Sequence, residues 1–383
     1  MPLNRKIGGY ITANPVAPAG PYQNSVADGV WTLSQQLQYV SAGTWPIAGN
    51  TRPEYIAVAH LGTPYVAAYP WNGSGFGTKY NNPGTLPGGT GYGVNFTVSG
   101  NAIAVAHALT PFISVYPWSN SGFGSKFANP ATLPTSDGRS VAFSPAGDAI
   151  AVAELSSSPI ISVYPWSGSG FGTKFADPAT LPVGLGLGTT FSPAGNAIAV
   201  TQSNSPRVLV YPWDIATGFG TKYTNPATLP TGAGRSVAFS PASDAIAVAH
   251  DTTPFITAYP WSGSGFGTKF TNPATLPTGN GNGVAFSPSG NAIAVAHSTS
   301  PFVSAYPWSG SGFGTKFANP ATLPASNGNS VAFSPAGDAI AVAHNSTPFV
   351  SAYPWSGSGF GTKFADPATL PASTGIDVAF GAI

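Results

Sequence analysis

The chain has 383 residues and a formal net charge of +1, with 13 basic and 12 acidic side chains, so that only 7% of it is charged. That balance excludes nucleic-acid binding, which needs clustered Lys and Arg to displace counterions from phosphates, and excludes a polybasic membrane-surface role. The absence of cysteine removes disulfides, thiolate nucleophiles and zinc–thiolate sites, while 48 Gly and 39 Pro beside 42% apolar residues suit short strands joined by turns rather than disorder.

In chain order, residues 1–52 stand apart as a polar, Pro- and Gly-rich arm without the apolar run of a signal peptide. No stretch of the chain reaches the length of unbroken apolar residues that spans a bilayer. The arm holds one compact island, residues 29–46, in which Trp31 and Trp45 are expected to cover apolar surface. From residue 53 onward one unit repeats. Its marker, Tyr-Pro-Trp, begins at Tyr69, Tyr116, Tyr164, Tyr211, Tyr259, Tyr306 and Tyr353, at intervals of 47 or 48 residues.

The last unit shows the design best. A first strand, Val331–Phe333, ends in the turn Ser-Pro-Ala-Gly-Asp. A second, Ala339–His344, is apolar at nearly every position, as a strand covered on both faces must be. A third spans Pro348–Trp355, and a Gly/Ser link leads to a fourth, Phe360–Phe364. Prolines at the boundaries exclude long helices. Seven units of four strands predict an all-β, seven-bladed β-propeller over residues 53–383. The first unit lacks the Val-Ala-Phe strand and the chain ends on a spare one, Asp377–Phe380. The C-terminal strand is therefore predicted to complete blade 1 and close the ring, removing an open edge.

Ser-Val-Ala-Phe-Ser-Pro-Ala-Gly-Asp followed by Ala-Ile-Ala-Val-Ala resembles WD40-like and YVTN-type propeller repeats, blade 4 most closely through Val210–Gly218. Six of the seven blades lack an Asp after the Trp, so the hydrogen-bonded tetrad of true WD40 repeats is not expected. The island of the arm resembles a short element, G-[VI]-W-x-L-x-x-Q…W-P, near the start of many tailed-bacteriophage structural proteins.

Several residue types fall in columns. His60, His107, His250, His297 and His344 end second strands, with Glu154 and Gln202 in the same place in blades 3 and 4. Equivalent positions on seven blades are too far apart to share one metal ion, so each His is read as fixing its own loop. Lys79, Lys126, Lys174, Lys222, Lys269, Lys316 and Lys363 are read as guards of exposed outer edges. The repeated Trp residues are read as inter-blade packing, and Gly-Ser-Gly-Phe-Gly-Thr-Lys as a turn rather than a phosphate loop. No Ser-His-Asp arrangement, paired carboxylate, metal motif or cofactor motif stands out. What asymmetry exists lies where the chain leads into each first strand, at Tyr92, Arg139, Leu187, Arg235, Asn282, Asn329 and Ile376, together with Glu154 and Arg207. Tyr92, Arg139, Glu154, Arg207 and Arg235, with Trp31 and Trp45 of the arm, are the candidate interaction residues.

Near-identical blades argue against catalysis, which needs distinct residues in one place. The resemblances imply a non-enzymatic virion protein of a tailed bacteriophage, a tail appendage or capsid-surface component assembled in the host cytoplasm. Its arm would dock on other virion proteins, and its propeller would serve adhesion to a host glycan or protein, alone or as a homo-oligomer. A glycan-binding, lectin-like propeller is the second reading, and a lyase- or lactonase-type propeller enzyme the third.

Overall fold

The computed structural model describes residues 53–156 and 158–383; Trp31, Trp45 and the rest of the expected arm lie outside the described residues. Within them the chain forms seven antiparallel sheets around a ring, six of four strands and one of three. The innermost strands of blades 2 to 7 are Gly91–Phe96, Gly138–Phe143, Gly186–Phe191, Gly234–Phe239, Gly281–Phe286 and Gly328–Phe333. The innermost strand of blade 1 comes from the other end of the chain. Gly375–Ala382 pairs antiparallel with Glu54–His60, setting Phe380 opposite Ile56 and Val378 opposite Val58. The ring therefore closes on the C-terminal strand, as the spare Val-Ala-Phe predicts.

The second strands explain how a chain so poor in charge folds stably. Ala-Ile-Ala-Val-Ala-His alternates small and branched side chains, and a strand turns successive side chains to opposite faces. In blade 2, Ala102, Ala104 and Ala106 turn one way and Ile103 and Val105 the other, all buried. The alanine face packs against Val141, Phe143, Ile150, Val152, Tyr164 and Trp166 of blade 3. The same small-to-large contact joins blade 6 to blade 7 and, across the closing seam, blade 7 to blade 1. The core is thus seven wedges between blades rather than one centre. Each buried branched or aromatic side chain contributes about 1.5–3 kcal/mol of transfer free energy.

The Trp column belongs to these wedges. Trp166 meets Phe143 and Phe171 of its own blade and Phe127 of the preceding one edge-to-face, at 5.1–5.5 Å between centroids. In six of the seven blades the Tyr of Tyr-Pro-Trp adds a polar clip between blades, Tyr353 being the exception. Tyr116 Oη donates to Thr85 O at 2.8 Å, Tyr259 Oη to Thr228 O at 2.7 Å, and Tyr69 Oη to Thr369 O at 2.8 Å across the seam.

Two expectations about the outer rim need correction. The fourth strand is only a Gly–Phe pair, such as Gly359–Phe360, and Lys363 lies beyond it in irregular chain. The lysines do not stand out as guards. Lys174 and Lys363 keep 13% and 14% of their side-chain surface and pair with Asp177 and Asp366 three residues on. Lys222 donates to Asn225 Oδ1 at 2.6 Å in the same way. Each lysine staples the descending loop of its own blade, and the rim is protected because its last strand is too short to template another.

Candidate active site at the channel mouth

The innermost strands begin with a device that aims side chains into the channel. Each opens on a glycine that pairs with the last residue of the second strand, after which the register slips by one residue. Gly91 pairs with His107 and Gly93 with Ala106, leaving Tyr92 as the extra residue of a bulge. A bulge re-aims its unpaired side chain. A glycine is required at its base, because a Cβ on Gly281 would lie 2.1 Å from the Phe255 carbonyl oxygen of the neighbouring blade.

The seven bulge residues, Tyr92, Arg139, Leu187, Arg235, Asn282, Asn329 and Ile376, all line one cavity of about 240 Å³ at the mouth. Below them lies a second ring, of which Ser140, Gly188, Ser236, Gly283, Ser330 and Asp377 line the same cavity. Sequence reasoning identified the upper ring and missed the lower one. The signal was present: the lower column reads Gly93, Ser140, Gly188, Ser236, Gly283, Ser330 and then Asp377, a Gly/Ser alternation broken once.

The cavity is chemically two-sided. On one side the Arg139 guanidinium lies 3.9 Å from the centroid of the Tyr92 ring, a stacked arrangement that fixes the charge without neutralising it. Arg235 is held more loosely, at 3.4 Å from Asp251 in a half-exposed pair that contributes little to stability. On the other side Asn282 Nδ2 donates to Gly328 O at 2.9 Å, and Asn329 Nδ2 donates to Gly375 O at 2.7 Å. With their amide hydrogens so placed, both asparagines present Oδ1 as an acceptor. Among the described residues Asp377 is the only carboxylate lining the cavity. Its Oδ1 accepts from Ser330 Oγ at 2.6 Å and Val378 N at 2.9 Å, and its Oδ2 accepts from Val94 N at 2.9 Å. Burial pushes its carboxyl above the usual range against these donors. Three of its roughly four lone-pair positions are used, leaving one.

The other candidates sit elsewhere. Arg207 turns back to donate to Ser203 O in its own loop. Glu154 is fully buried at the end of a second strand, where Thr135 N and Oγ1 donate to Oε2 at 2.6 and 2.7 Å. Burial raises its carboxyl above the ordinary value. In blade 4 Gln202 fills the same slot, accepting from Val183 N at 2.9 Å. Glu154→Gln is therefore expected to fold normally. It should match the parent at acid pH and become more stable than it as pH rises through the raised carboxyl, a gain that melting curves across pH would register.

The histidines bear out the expectation only in part: four of them bond a Ser or Thr of their own third strand, His107 alone also bonds the residue that follows it, and neither ring nitrogen of His60 has a partner among the described residues. His107 joins Ala108 O at 2.8 Å and Ser114 Oγ at 3.0 Å, and His344 joins Ser351 Oγ at 3.0 Å. Among the described residues no three His, Asp or Glu side chains converge to hold a metal ion. The Trp rings of the repeat keep only 3–7% of their surface and offer no face for sugar stacking.

No protein-family model matches the chain, and no curated protein is similar to it in sequence. Solved structures do match. A provisionally named 6-phosphogluconolactonase of Bacteroides uniformis superposes with a TM-score of 0.69 at 14% identity, over 86% of this chain and 100% of its own. A second provisionally named 6-phosphogluconolactonase, from Bacteroides fragilis, gives 0.70 at 11% identity, over 87% and 99%. The periplasmic gluconolactonase of Pseudomonas aeruginosa gives 0.69 at 15% identity, over 86% and 99%. At such identities the likeness is one of fold.

It nonetheless overturns the virion reading and the argument on which that reading rested. Structures that superpose over nearly their whole length on this propeller carry enzyme names, so a ring of repeated blades is no argument against catalysis. This ring is not uniform where it matters, because the bulges place seven largely different side chains around one mouth. The three structures named above carry no bacteriophage tail or capsid role in their names, and the phage-like element lies outside the described residues.

Proposed function

We propose that the protein is a propeller-type lactone hydrolase acting at the channel mouth on a small, anionic sugar lactone. The observation that carries this reading is the two-sided cavity: fixed guanidinium charge on one wall, asparagine acceptors on the other, and, among the described residues, a single half-buried carboxylate in its lining. A volume of about 240 Å³ suits one sugar ring rather than an oligosaccharide. Arg139 and Arg235 would take the anionic group, Arg139 with the larger share because among the described residues no carboxylate pairs with it. Asn282 and Asn329 Oδ1 would accept from ring hydroxyls.

Hydrolysis then needs a water activated beside the lactone carbonyl. The remaining lone pair of Asp377 accepts the proton as the water oxygen bonds to the carbonyl carbon. The ring C–O bond breaks, and the departing alkoxide takes the proton back, leaving an open-chain acid. Burial suits Asp377 to this role by raising its proton affinity above that of a solvated carboxylate.

The test is turnover of gluconolactone and 6-phosphogluconolactone, followed by proton release against the spontaneous rate. Asp377→Ser keeps the hydroxyl that blades 3, 5 and 7 carry at this position and should lower kcat by about 10²-fold or more. Arg139→Ala with Arg235→Ala should raise KM roughly ten-fold or more for the phosphorylated lactone and far less for the neutral one. Glu154→Gln should leave both constants unchanged. A parent protein that does not exceed the spontaneous rate with either lactone refutes the reading.

A further inference from the structure

The turn between the third strand of blade 1 and its outer rim differs from its counterparts. Blades 2, 3, 5, 6 and 7 carry Ser119, Ser167, Ser262, Ser309 and Ser356 after the Trp, and blade 4 carries Asp214; blade 1 has Asn72, followed by Gly73. We propose that Asn72 is a site of spontaneous self-modification, in which the Gly73 amide nitrogen closes on the Asn72 side chain and converts it to aspartate and isoaspartate.

The geometry favours the step here. Asn72, Gly73 and Ser74 are all exposed. Gly73 has φ of +75° and no side chain to hinder closure. Asn72 Oδ1 accepts from Ser74 N at 3.1 Å and from Ser74 Oγ at 2.7 Å. Those two donors draw electron density from the side-chain carbonyl and stabilise the charge that develops on Oδ1. Gly73 N loses its proton to solvent base and bonds to Asn72 Cγ; the Cγ–Nδ2 bond breaks and ammonia leaves. Water then opens the cyclic imide at either carbonyl. The step needs no oxidant, metal or enzyme.

The same dipeptide occurs three more times, at Asn280–Gly281, Asn282–Gly283 and Asn327–Gly328. There the glycine belongs to an innermost strand under a neighbouring blade. A Cβ would lie 2.1 Å from Phe255 O at Gly281, 2.8 Å from Ser330 Cα at Gly283 and 2.3 Å from Phe302 O at Gly328. The backbone at those sites cannot reshape into an imide while the ring is folded. The fold thus restricts to blade 1 a reaction that the bare sequence allows at four places.

The product matters because of where it forms. A Cβ on Gly73 would lie 3.4 Å from Asp338 Oδ2 of blade 7, so the new charge arises one residue from that contact, on the seam where the ring closes. Glu54 stands near the same carboxylate, and its own carboxyl is already pushed up to about 7 by burial and by the Asp338 charge.

The test uses the full chain aged at about pH 8 and read by mass spectrometry on tryptic peptides ending at Lys79, Lys316 and Lys363, which separate Asn72 from the other three sites. Aspartate and isoaspartate are expected in the first peptide roughly ten-fold faster than in the others. In denaturant the advantage should disappear, and Asn72→Gln should abolish the product in the first peptide. Equal rates in the folded chain, or an Asn72 peptide that stays unmodified while the denatured one converts, would overturn the proposal.

Discussion

Lowering the pH from 7 to 4 is expected to unfold the propeller. His60, His250, His297 and His344 are fully buried, and burial lowers each from an ordinary value of 6.5 to about 4. His107 is lowered for the same reason. A group with a depressed value in the folded state binds its proton more readily once unfolded. Its contribution is therefore complete above pH 6.5 and is lost as pH falls through about 4. A depression of that size corresponds to about 3 kcal/mol per histidine at most, so four together amount to on the order of 10 kcal/mol, comparable with the whole stability of an ordinary domain. Three carboxyls work against them. Glu54, raised to about 7, and the raised Glu154 and Asp377 favour the folded state more as pH falls. They offset part of the loss, chiefly through Glu54 between about pH 7 and 4.5. The melting temperature should accordingly peak near neutrality and fall steeply below pH 6. His344→Gln, which copies the Gln202 of blade 4, should make that fall shallower. A melting temperature that holds steady from pH 7 to 4 would show that the histidines are not kept neutral by the fold.

The ring is legible in the sequence because its signals are local and repeated. Tyr-Pro-Trp fixes the period, alternating Ala and Ile/Val fixes the strand, and the unmatched Val-Ala-Phe at the end fixes the closure. The site is legible only in part. The residue before each Gly/Ser position stands out as variable, but nothing in the string shows that a one-residue bulge turns it into the channel rather than onto the loop surface. Arg207 and Arg235 look alike in sequence, and only the loop around Arg207 shows that one serves its own backbone while the other faces the mouth. Asp377 reads as part of a closing strand and not as chemistry, because its column consists otherwise of Gly and Ser and carries no sign of a channel. The lysines mislead for a related reason: an edge guard and a loop staple have the same period, and the partner three residues on decides between them.

Deleting residues 374–383 is expected to abolish the folded ring rather than merely weaken it. The deletion removes the partner of Glu54–His60 along its whole length and the Phe380 ring that meets Trp71 edge-to-face at 5.2 Å. Ile56 and Val58 would lose Val378 from their shared core. The lower channel column adds a reason specific to an odd number of blades. In that column Ser140 Oγ accepts from Thr189 N, and Ser236 Oγ from Val284 N, both at 3.3 Å, each serine reaching into the following Gly-bearing blade. Alternation of Ser and Gly cannot close on seven blades, and the mismatch falls between Ser330 and Gly93. Asp377 fills it with two oxygens, one taking the Ser330 hydroxyl and the other the Val94 amide. Asp377→Ala leaves these two donors, and the Val378 amide with them, without that acceptor, at about 1–3 kcal/mol each. Asp377→Ser restores an acceptor for Val94 and should cost clearly less. The deletion should yield aggregated or protease-sensitive chain, because the open edge at Glu54–His60 templates pairing with other molecules. A peptide of residues 374–383 added during refolding should rescue it by strand addition, as measured by recovery of a cooperative melt. Truncated chain that melts like the parent would mean that the interfaces of blades 2 to 7 hold the ring without the seam.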